Sequence, residues 1–103
     1  MARYESKEFE FAGRDVTEFD RAKEKIPGDR VGVLVDDVKS GGWAALGGLN
    51  TGDIILNVDG TAPPDVTGLD TVMAGIADAK PKSIVLLVLR GIQTQYLEIQ
   101  PRW

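Results

Sequence analysis

An α+β domain, built as a partly open antiparallel β-barrel or sandwich of five to six strands capped by two helices, is the fold this sequence predicts. Three observations carry that prediction. Short runs rich in β-branched and other apolar residues recur at 31–38, 54–58, 83–90 and 94–100. From Thr67 onward, Leu69, Val72, Met73, Ile76 and Ala79 fall at spacings of three and four, the period of a helix. Between these segments stand glycine-bearing turns at Asn50-Thr51-Gly52-Asp53, Asp59-Gly60 and Gly91-Ile92-Gln93, the punctuation expected around strands.

Taken in order, residues 8–16 read Glu-Phe-Glu-Phe-Ala-Gly-Arg-Asp-Val, with Phe9 and Phe11 alternating with glutamates as on a half-buried strand, and Gly13 bending it. Thr17 offers an N-cap to a short amphipathic helix over 17–26, with acids in its first turn and lysines near its end. Phe19, Ala22 and Ile26 share its core-facing side, and Pro27-Gly28-Asp29 stops it. Residues 31–38, Val-Gly-Val-Leu-Val-Asp-Asp-Val, form a strand closed by Ser40-Gly41-Gly42. Trp43-Ala44-Ala45-Leu46 fits one helical turn, with Ala45, Leu46 and Leu49 inward and Gly47-Gly48 closing it. The strand 54–58 follows, then Thr61-Ala62-Pro63-Pro64-Asp65, an extended loop because its prolines forbid ladder bonds. The next helix starts at a Thr67 N-cap and ends at Lys80-Pro81. Gly75 inside it costs roughly 1 kcal/mol relative to alanine, so a close approach is expected there. The last two runs close as an antiparallel hairpin.

Composition narrows the function classes. A chain of 103 residues holds one core, and 43% apolar with 27% charged residues is the balance of a soluble globular domain. No apolar run is long enough to span a bilayer, so membrane insertion is not expected. Met1 to Lys7 lacks the apolar middle of a secretory signal; the chain is therefore expected to be cytosolic or a domain cut from a longer protein. With no cysteine there is no disulfide, thiolate zinc site or cysteine nucleophile. With no histidine there is no Ser-His-Asp triad and no imidazole metal site. The formal charge of −4 argues against nucleic acid. Asp36 and Asp37 are adjacent on a strand and so point to opposite faces, and Asn57-Val58-Asp59-Gly60 lacks the first acid and closing glutamate of a calcium loop. Neither catalysis, a metal nor a cofactor is expected.

Residues 40–60, Ser-Gly-Gly-Trp-Ala-Ala-Leu-Gly-Gly-Leu-Asn-Thr-Gly-Asp-Ile-Ile-Leu-Asn-Val-Asp-Gly, resemble the signature segment of PDZ domains. The run 85–91, Val-Leu-Leu-Val-Leu-Arg-Gly, resembles their penultimate strand, and the helix between resembles the one that lines their groove. The order of elements is similar to that of the permuted PDZ domains appended to bacterial trypsin-like envelope proteases. The resemblance is strong over 31–60 and weak before Gly13.

That resemblance implies a single PDZ-like domain over 1–103, excised from a longer multidomain protein of the bacterial envelope or periplasm. It implies a peptide-binding module that captures an extended peptide or protein C-terminus by strand addition, between the strand Ala12, Gly13, Arg14, Asp15, Val16 and the helix over 68–79. The carboxylate loop maps onto Glu8, Phe9, Glu10 and Phe11; Phe9, Phe11, Leu69, Val72, Met73 and Ile76 form the pocket for an apolar last residue. As a plain helical stripe, about half of Leu69, Val72, Met73 and Ile76 should be structural. Such a module would regulate or target an attached protease-like domain. Glu8 and Glu10 depart from the small residues of the family loop. Each would repel a bound carboxylate by about 1 kcal/mol at ~4 Å in water, a cost for Arg3, Lys7 or Arg14 to offset. Trp43, where the family commonly has proline, reads as a lid, a capping side chain or, by preference, a contact to a neighbouring domain; Asp53 reads as a turn-former, and Trp103 as no more than the point where the chain was cut. The competing reading is a structural or assembly domain whose groove is filled by the same or a neighbouring chain, with self-association through that groove.

Overall fold

A computed structural model describes residues 2–24 and 32–103; the expectations for Ile26, Pro27, Gly28, Asp29 and Val31 lie outside them. Among the described residues six strands form one antiparallel sheet in which each pairs with the next in sequence: β1 (Arg3–Ser6), β2 (Phe11–Asp15), β3 (Val33–Val38), β4 (Ile54–Val58), β5 (Ile84–Arg90) and β6 (Gln93–Ile99). Among the described residues three helices punctuate it, α1 (Glu18–Glu24), α2 (Trp43–Leu46) and α3 (Val66–Ala79). This is the α+β architecture that the alternation of apolar runs and turns predicts, with the sheet left open and a strand, β1, that the sequence did not announce.

The core lies where β-branched residues of β3, β4 and β5 meet α3. Val33, Val35, Ile55, Val58, Ile84 and Val88 are buried with Leu69, Met73 and Ile76. Leu34, Ile54, Leu56 and Leu89 gather in a second, smaller cluster. Gly13 is a steric requirement rather than a simple bend: a Cβ there would lie 2.7 Å from Val33 Cγ1 and 2.9 Å from the Leu34 carbonyl oxygen. The β2–β3 register shifts at that point, from Ala12 opposite Asp37 to Gly13 opposite Val35. Asp36 is therefore the extra residue of a bulge, a feature that re-aims a side chain.

Two acid–arginine pairs hold the periphery. Asp53, expected as a turn-former, accepts from the Asn50 amide and is also a buried anion. Arg90 donates to it through Nε at 2.8 Å and Nη2 at 2.7 Å, which raises the guanidinium pKa. Asp20 is likewise buried and takes two hydrogen bonds from Arg14, at 2.6 and 2.8 Å. The Thr17 hydroxyl caps the Asp20 amide, while the Asp20 carboxylate accepts from the Thr17 amide, a capping box with aspartate in the glutamate's place. Arg14 first, then these local bonds, hold the Asp20 carboxyl well below the usual carboxylate range.

Several local expectations are corrected. In α1 the anchoring side is polar: Asp20 is buried, whereas Phe19 is 73% exposed and Ala22 is exposed, because the box and the Arg14 pair orient the helix. In α2 the inward residue is Ala44, not Ala45 or Leu46, while Leu49 is buried as expected. That turn is fixed by the Ala44 amide donating to the Phe9 carbonyl and by Gly47 lying against Ile99. The N-cap of α3 is Asp65, whose carboxylate accepts from the Gly68 amide at 2.8 Å, rather than Thr67. At Gly75 a Cβ would meet nothing within 4 Å, so no close approach explains it. Trp103 is not a bare chain end. Its ring packs on Phe9 and Trp43, and Nε1 donates to the Pro81 carbonyl.

Two outcomes follow. Gly75→Ala should raise the unfolding free energy in urea by about 0.5–1 kcal/mol, because helix propensity improves and nothing clashes; destabilisation would mean that the open site is not open. Asp20→Asn should cost about 2 kcal/mol at neutral pH through its charged hydrogen bonds. A depressed carboxyl pKa contributes stability that is full above the unfolded value, near 4, and is lost as the group protonates. The gap between wild type and variant should therefore shrink as pH falls below about 4. A gap constant with pH would contradict the ion pair.

Candidate functional site

Between β1 and β2 the chain turns through Lys7, Glu8, Phe9 and Glu10, and both sides of this turn are bonded. From behind, the Phe9 carbonyl accepts from the Ala44 amide at the start of α2, and the Glu10 carbonyl accepts from the Lys39 amide. The Phe9 carbonyl shares its peptide plane with the Glu10 amide, so holding the carbonyl back turns that amide forward, toward Ser6, where the Phe9 amide also points. Glu10 pays for this with φ of 62°, a left-handed conformation that costs an L-residue about 1–2 kcal/mol. Gly42 makes room for it, since a Cβ on Gly42 would lie 2.8 Å from Glu10 Cβ. The Glu10 carboxylate turns to Lys39 Nζ at 3.0 Å. Phe9 closes the back of the turn, in edge-to-face contact with Trp43 (centroids 5.4 Å) and Trp103 (5.8 Å).

The forward side is occupied by the chain itself. β1 lies antiparallel on β2 with Ser6 opposite Phe11, Glu5 opposite Ala12, Tyr4 opposite Gly13 and Arg3 opposite Arg14. The forward amides are taken by one residue: the Glu10 amide donates to the Ser6 carbonyl at 2.9 Å and the Phe9 amide to the Ser6 hydroxyl at 3.0 Å. Tyr4 packs on Phe11 with ring centroids 5.9 Å apart. Burial pushes the Tyr4 hydroxyl pKa up; a hydrogen bond with Ser6 opposes this, and the charges of Asp70 and Glu8 add to it. Arg3 reaches across β2 to the bulged Asp36, donating from Nε at 3.2 Å and Nη2 at 3.0 Å, and to Glu5 from Nη1 at 2.8 Å.

α3 runs alongside. Its first turn is tied to the end of β2, where the Asp15 carboxylate accepts from the Val66 amide at 2.8 Å. Toward its other end, Asp70, Met73, Ala74, Ala77 and Asp78 face Tyr4, Glu5, Lys7 and Glu8 across a cavity of about 340 Å³. Four carboxylates and one lysine line it, so its field is negative.

The residues expected to make a site are thus brought together, with their accessibility redistributed. Phe9, Phe11, Leu69, Met73 and Ile76 are buried in one cluster and Val72 is partly buried against it; of these six, Met73 lines the cavity. Ala12 and Gly13 are buried, and Arg14, Asp15 and Val16 are half-buried. Glu8 lines the cavity. Arg3 and Arg14 are engaged with Asp36 and Asp20, so neither offsets the loop glutamates; Lys39 does so for Glu10. The residues missed were Tyr4, Ser6 and Asp36. Nothing in Arg-Tyr-Glu-Ser marks a strand, and a bulge at Asp36 leaves no local signature.

A sequence model of the PDZ domain matches residues 11–90. The chain belongs to the PDZ family. Among curated proteins it is similar to the periplasmic serine endoprotease DegP of Escherichia coli (strain K12), 38% identical over 69 residues, which are 67% of this chain and 14% of DegP. The chain therefore spans a small part of that relative's length. Among solved structures it is similar to an HtrA-type protease, AlgW with a decapeptide, at TM-score 0.69 and 29% identity over 90% of this chain and 27% of that one. It also shares the fold of the HtrA3 PDZ domain bound to a phage-derived ligand (FGRWV), at TM-score 0.69 and 23% identity over 98% of this chain and 89% of that one. The chain is accordingly similar to PDZ domains of the protease-associated type, and PDZ domains are binding modules, not catalytic ones. β1 and the turn before Phe11 lie outside the matched stretch.

The strain at Glu10 is measurable. Glu10→Gly should be more stable than Glu10→Ala by about 1 kcal/mol in thermal or urea unfolding, because both lose the exposed Lys39 pair and the glycine alone relieves the left-handed backbone. Equal stabilities would mean that the turn is not held in that conformation.

Proposed function

We propose that this PDZ domain captures an extended peptide or a protein C-terminus by strand addition between β2 and α3, and that it does so to regulate or target an attached protease-like domain in a cell envelope. The observation that supports this most is the braced turn. Two backbone amides, Phe9 and Glu10, meet at Ser6 beside β2, and the carbonyls of the same two residues are tied to Ala44 and Lys39 respectively on the far side. A terminal carboxylate offers two acceptor oxygens at one atom, which suits a pair of neighbouring amides. Phe9, Phe11, Leu69, Val72, Met73 and Ile76 would line the site for an apolar last residue, and Ala12, Gly13, Arg14, Asp15 and Val16 would supply the pairing strand. That AlgW was solved with a decapeptide, and that DegP is a periplasmic endoprotease, supports peptide capture in a protease setting. On this reading residues 1–103 are one domain of a longer protein.

A second reading has its own support. β1 already fills the β2 edge, which favours a structural domain whose groove is occupied by the same chain, or by a neighbouring one in self-association. Titrating the ¹⁵N-labelled chain with short peptides ending in leucine or valine, as free acids and as amides, separates the two. Peptide capture predicts shifts over 9–16 and along α3, with amidation weakening binding by roughly ten- to a hundredfold, the worth of 1.5–3 kcal/mol in charged hydrogen bonds. Shifts equal for acid and amide would remove the carboxylate from the account; no shift for any peptide at millimolar concentration would leave the structural reading.

A further inference from the structure

We propose that β1 is a tethered stand-in for the ligand of this groove, so that a peptide binds by displacing Arg3–Ser6 and is selected for a basic and an aromatic residue in the register that Arg3 and Tyr4 occupy. The inference rests on the peptide-capture reading and adds the occupant, the competition and the chemistry of the partner.

The first ground is positional. β1 runs antiparallel along β2, as an added strand ending at the turn would, and it contributes Ser6 at the place where such a strand would end. Two oxygens of Ser6, its carbonyl and its hydroxyl, sit on the amides of Glu10 and Phe9 at 2.9 and 3.0 Å. A free C-terminus has two oxygens to set on the same two donors. Because the Ser6 side chain is spent as an acceptor, β1 carries no apolar group at the last position; it leaves that preference open and specifies the residues before it.

The second ground is side-chain chemistry. Two residues before Ser6, Tyr4 lays its ring on Phe11, half-buried and close to Asp70 of α3. Three residues before Ser6, Arg3 crosses β2 to the carboxylate of Asp36. Asp36 is the bulged residue of β3, and its carboxylate meets Arg3, so the bulge serves a cation lying on the far side of β2. Of the charges lining the cavity beside β1, Glu8, Asp70 and Asp78 lie outside β1 with Lys7, and their net negative field favours a cationic peptide over an acidic one.

The third ground is that the occupant is built to leave. β1 is four residues long, Tyr4 is its single large apolar side chain, and the Arg3–Asp36 pair is solvent-exposed, with side-chain accessibilities of 42% and 29%. Exposed pairs of this kind contribute little, and short edge strands open first. β1 also lies outside the stretch that matches the PDZ family, so its sequence is free to serve as a competitor. Being tethered, it holds the edge at high effective concentration without high intrinsic affinity.

The test compares the 103-residue chain with Arg3→Ala/Tyr4→Ala, and with Asp36→Ala, which loosens the same clasp while leaving β1 intact. The probes are the free-acid peptide Ala-Arg-Tyr-Glu-Ser, its C-terminal amide, and Ala-Ala-Ala-Glu-Ser. Without peptide, the Glu10 amide should be protected from hydrogen exchange in the wild type and lose that protection in both variants. With peptide, Ala-Arg-Tyr-Glu-Ser should bind the Arg3→Ala/Tyr4→Ala protein at least about tenfold more tightly than the wild type, the gain expected if β1 closes the edge nine-tenths of the time. It should also outbind Ala-Ala-Ala-Glu-Ser there by about tenfold, with shifts over 9–15. A Glu10 amide unprotected in the wild type, equal peptide affinity for wild type and Arg3→Ala/Tyr4→Ala, or equal affinity for the two free acids overturns the proposal while leaving peptide capture standing. Binding of no peptide by any of the three proteins overturns peptide capture itself, even where Glu10 exchange shows β1 in place.

Discussion

The brace behind the Phe9–Glu10 turn is the constraint on which the rest of the structure depends. A backbone turn has carbonyls and amides in equal number, and it can present its amides only if something else accepts the burden of its carbonyls. Here the donors are the Ala44 amide, one of the orphan donors at the start of α2, and the Lys39 amide just after β3. α2 is a single turn and would not be stable alone. It is fixed by Ala44 buried in the core, by Gly47 against Ile99, and by Trp43 against Phe9 and Trp103. The PDZ signature segment therefore acts on the turn from behind. It builds the wall against which the turn is pressed.

How much of this the sequence discloses divides along physical lines. Strands β3 to β6 and helix α3 are legible because their burial is periodic and their turns are spelled in glycine, proline and aspartate; 84–90 alternates buried and less buried positions through most of its length. The site is less legible for three reasons. Phe9 and Phe11 alternate with glutamates as a strand would, yet Glu10 is left-handed, because tertiary bonds to Ala44 and Lys39 outweigh a local cost of about 1–2 kcal/mol. Asp36 and Asp37 look like opposite faces of a regular strand until the bulge intervenes. β1 has no pattern to detect, since an edge strand of four residues needs only one side chain, Tyr4, to find apolar contact. In α1, the apolar spacing of Phe19 and Ala22 misleads because a buried Asp20, held by Arg14 and Thr17, decides which side faces in.

Those same interactions grade the stability of the molecule. Asp53–Arg90 and Asp20–Arg14 each bury an acid and satisfy it with two guanidinium hydrogen bonds plus a backbone amide. Removing either arginine leaves a desolvated carboxylate, a penalty of several kcal/mol, more than neutralising the acid costs. They tie β4 to β5 and β2 to α1, and Asp15 ties β2 to α3. The groove walls are thereby fixed to the core by interactions that do not involve β1. Arg3–Asp36, by contrast, joins two solvent-facing groups and leaves no buried charge behind when it opens.

This asymmetry bears on how a PDZ groove can be filled and still function. Had β1 been held by a buried ion pair or a leucine-rich face, leaving would cost as much as local unfolding of the sheet, and no short peptide could compete. Held by a four-residue ladder, one half-buried ring and an exposed guanidinium, it can separate while Phe9, Phe11 and the α3 stripe stay in place, because their positions are set from behind by Trp43, Trp103 and the β3–β5 core. The bare edge would then leave two amides to water and uncover the Phe11 ring, whose exposed apolar surface costs free energy until something returns. That cost is what any incoming strand removes on binding, and the tether removes it when none is present.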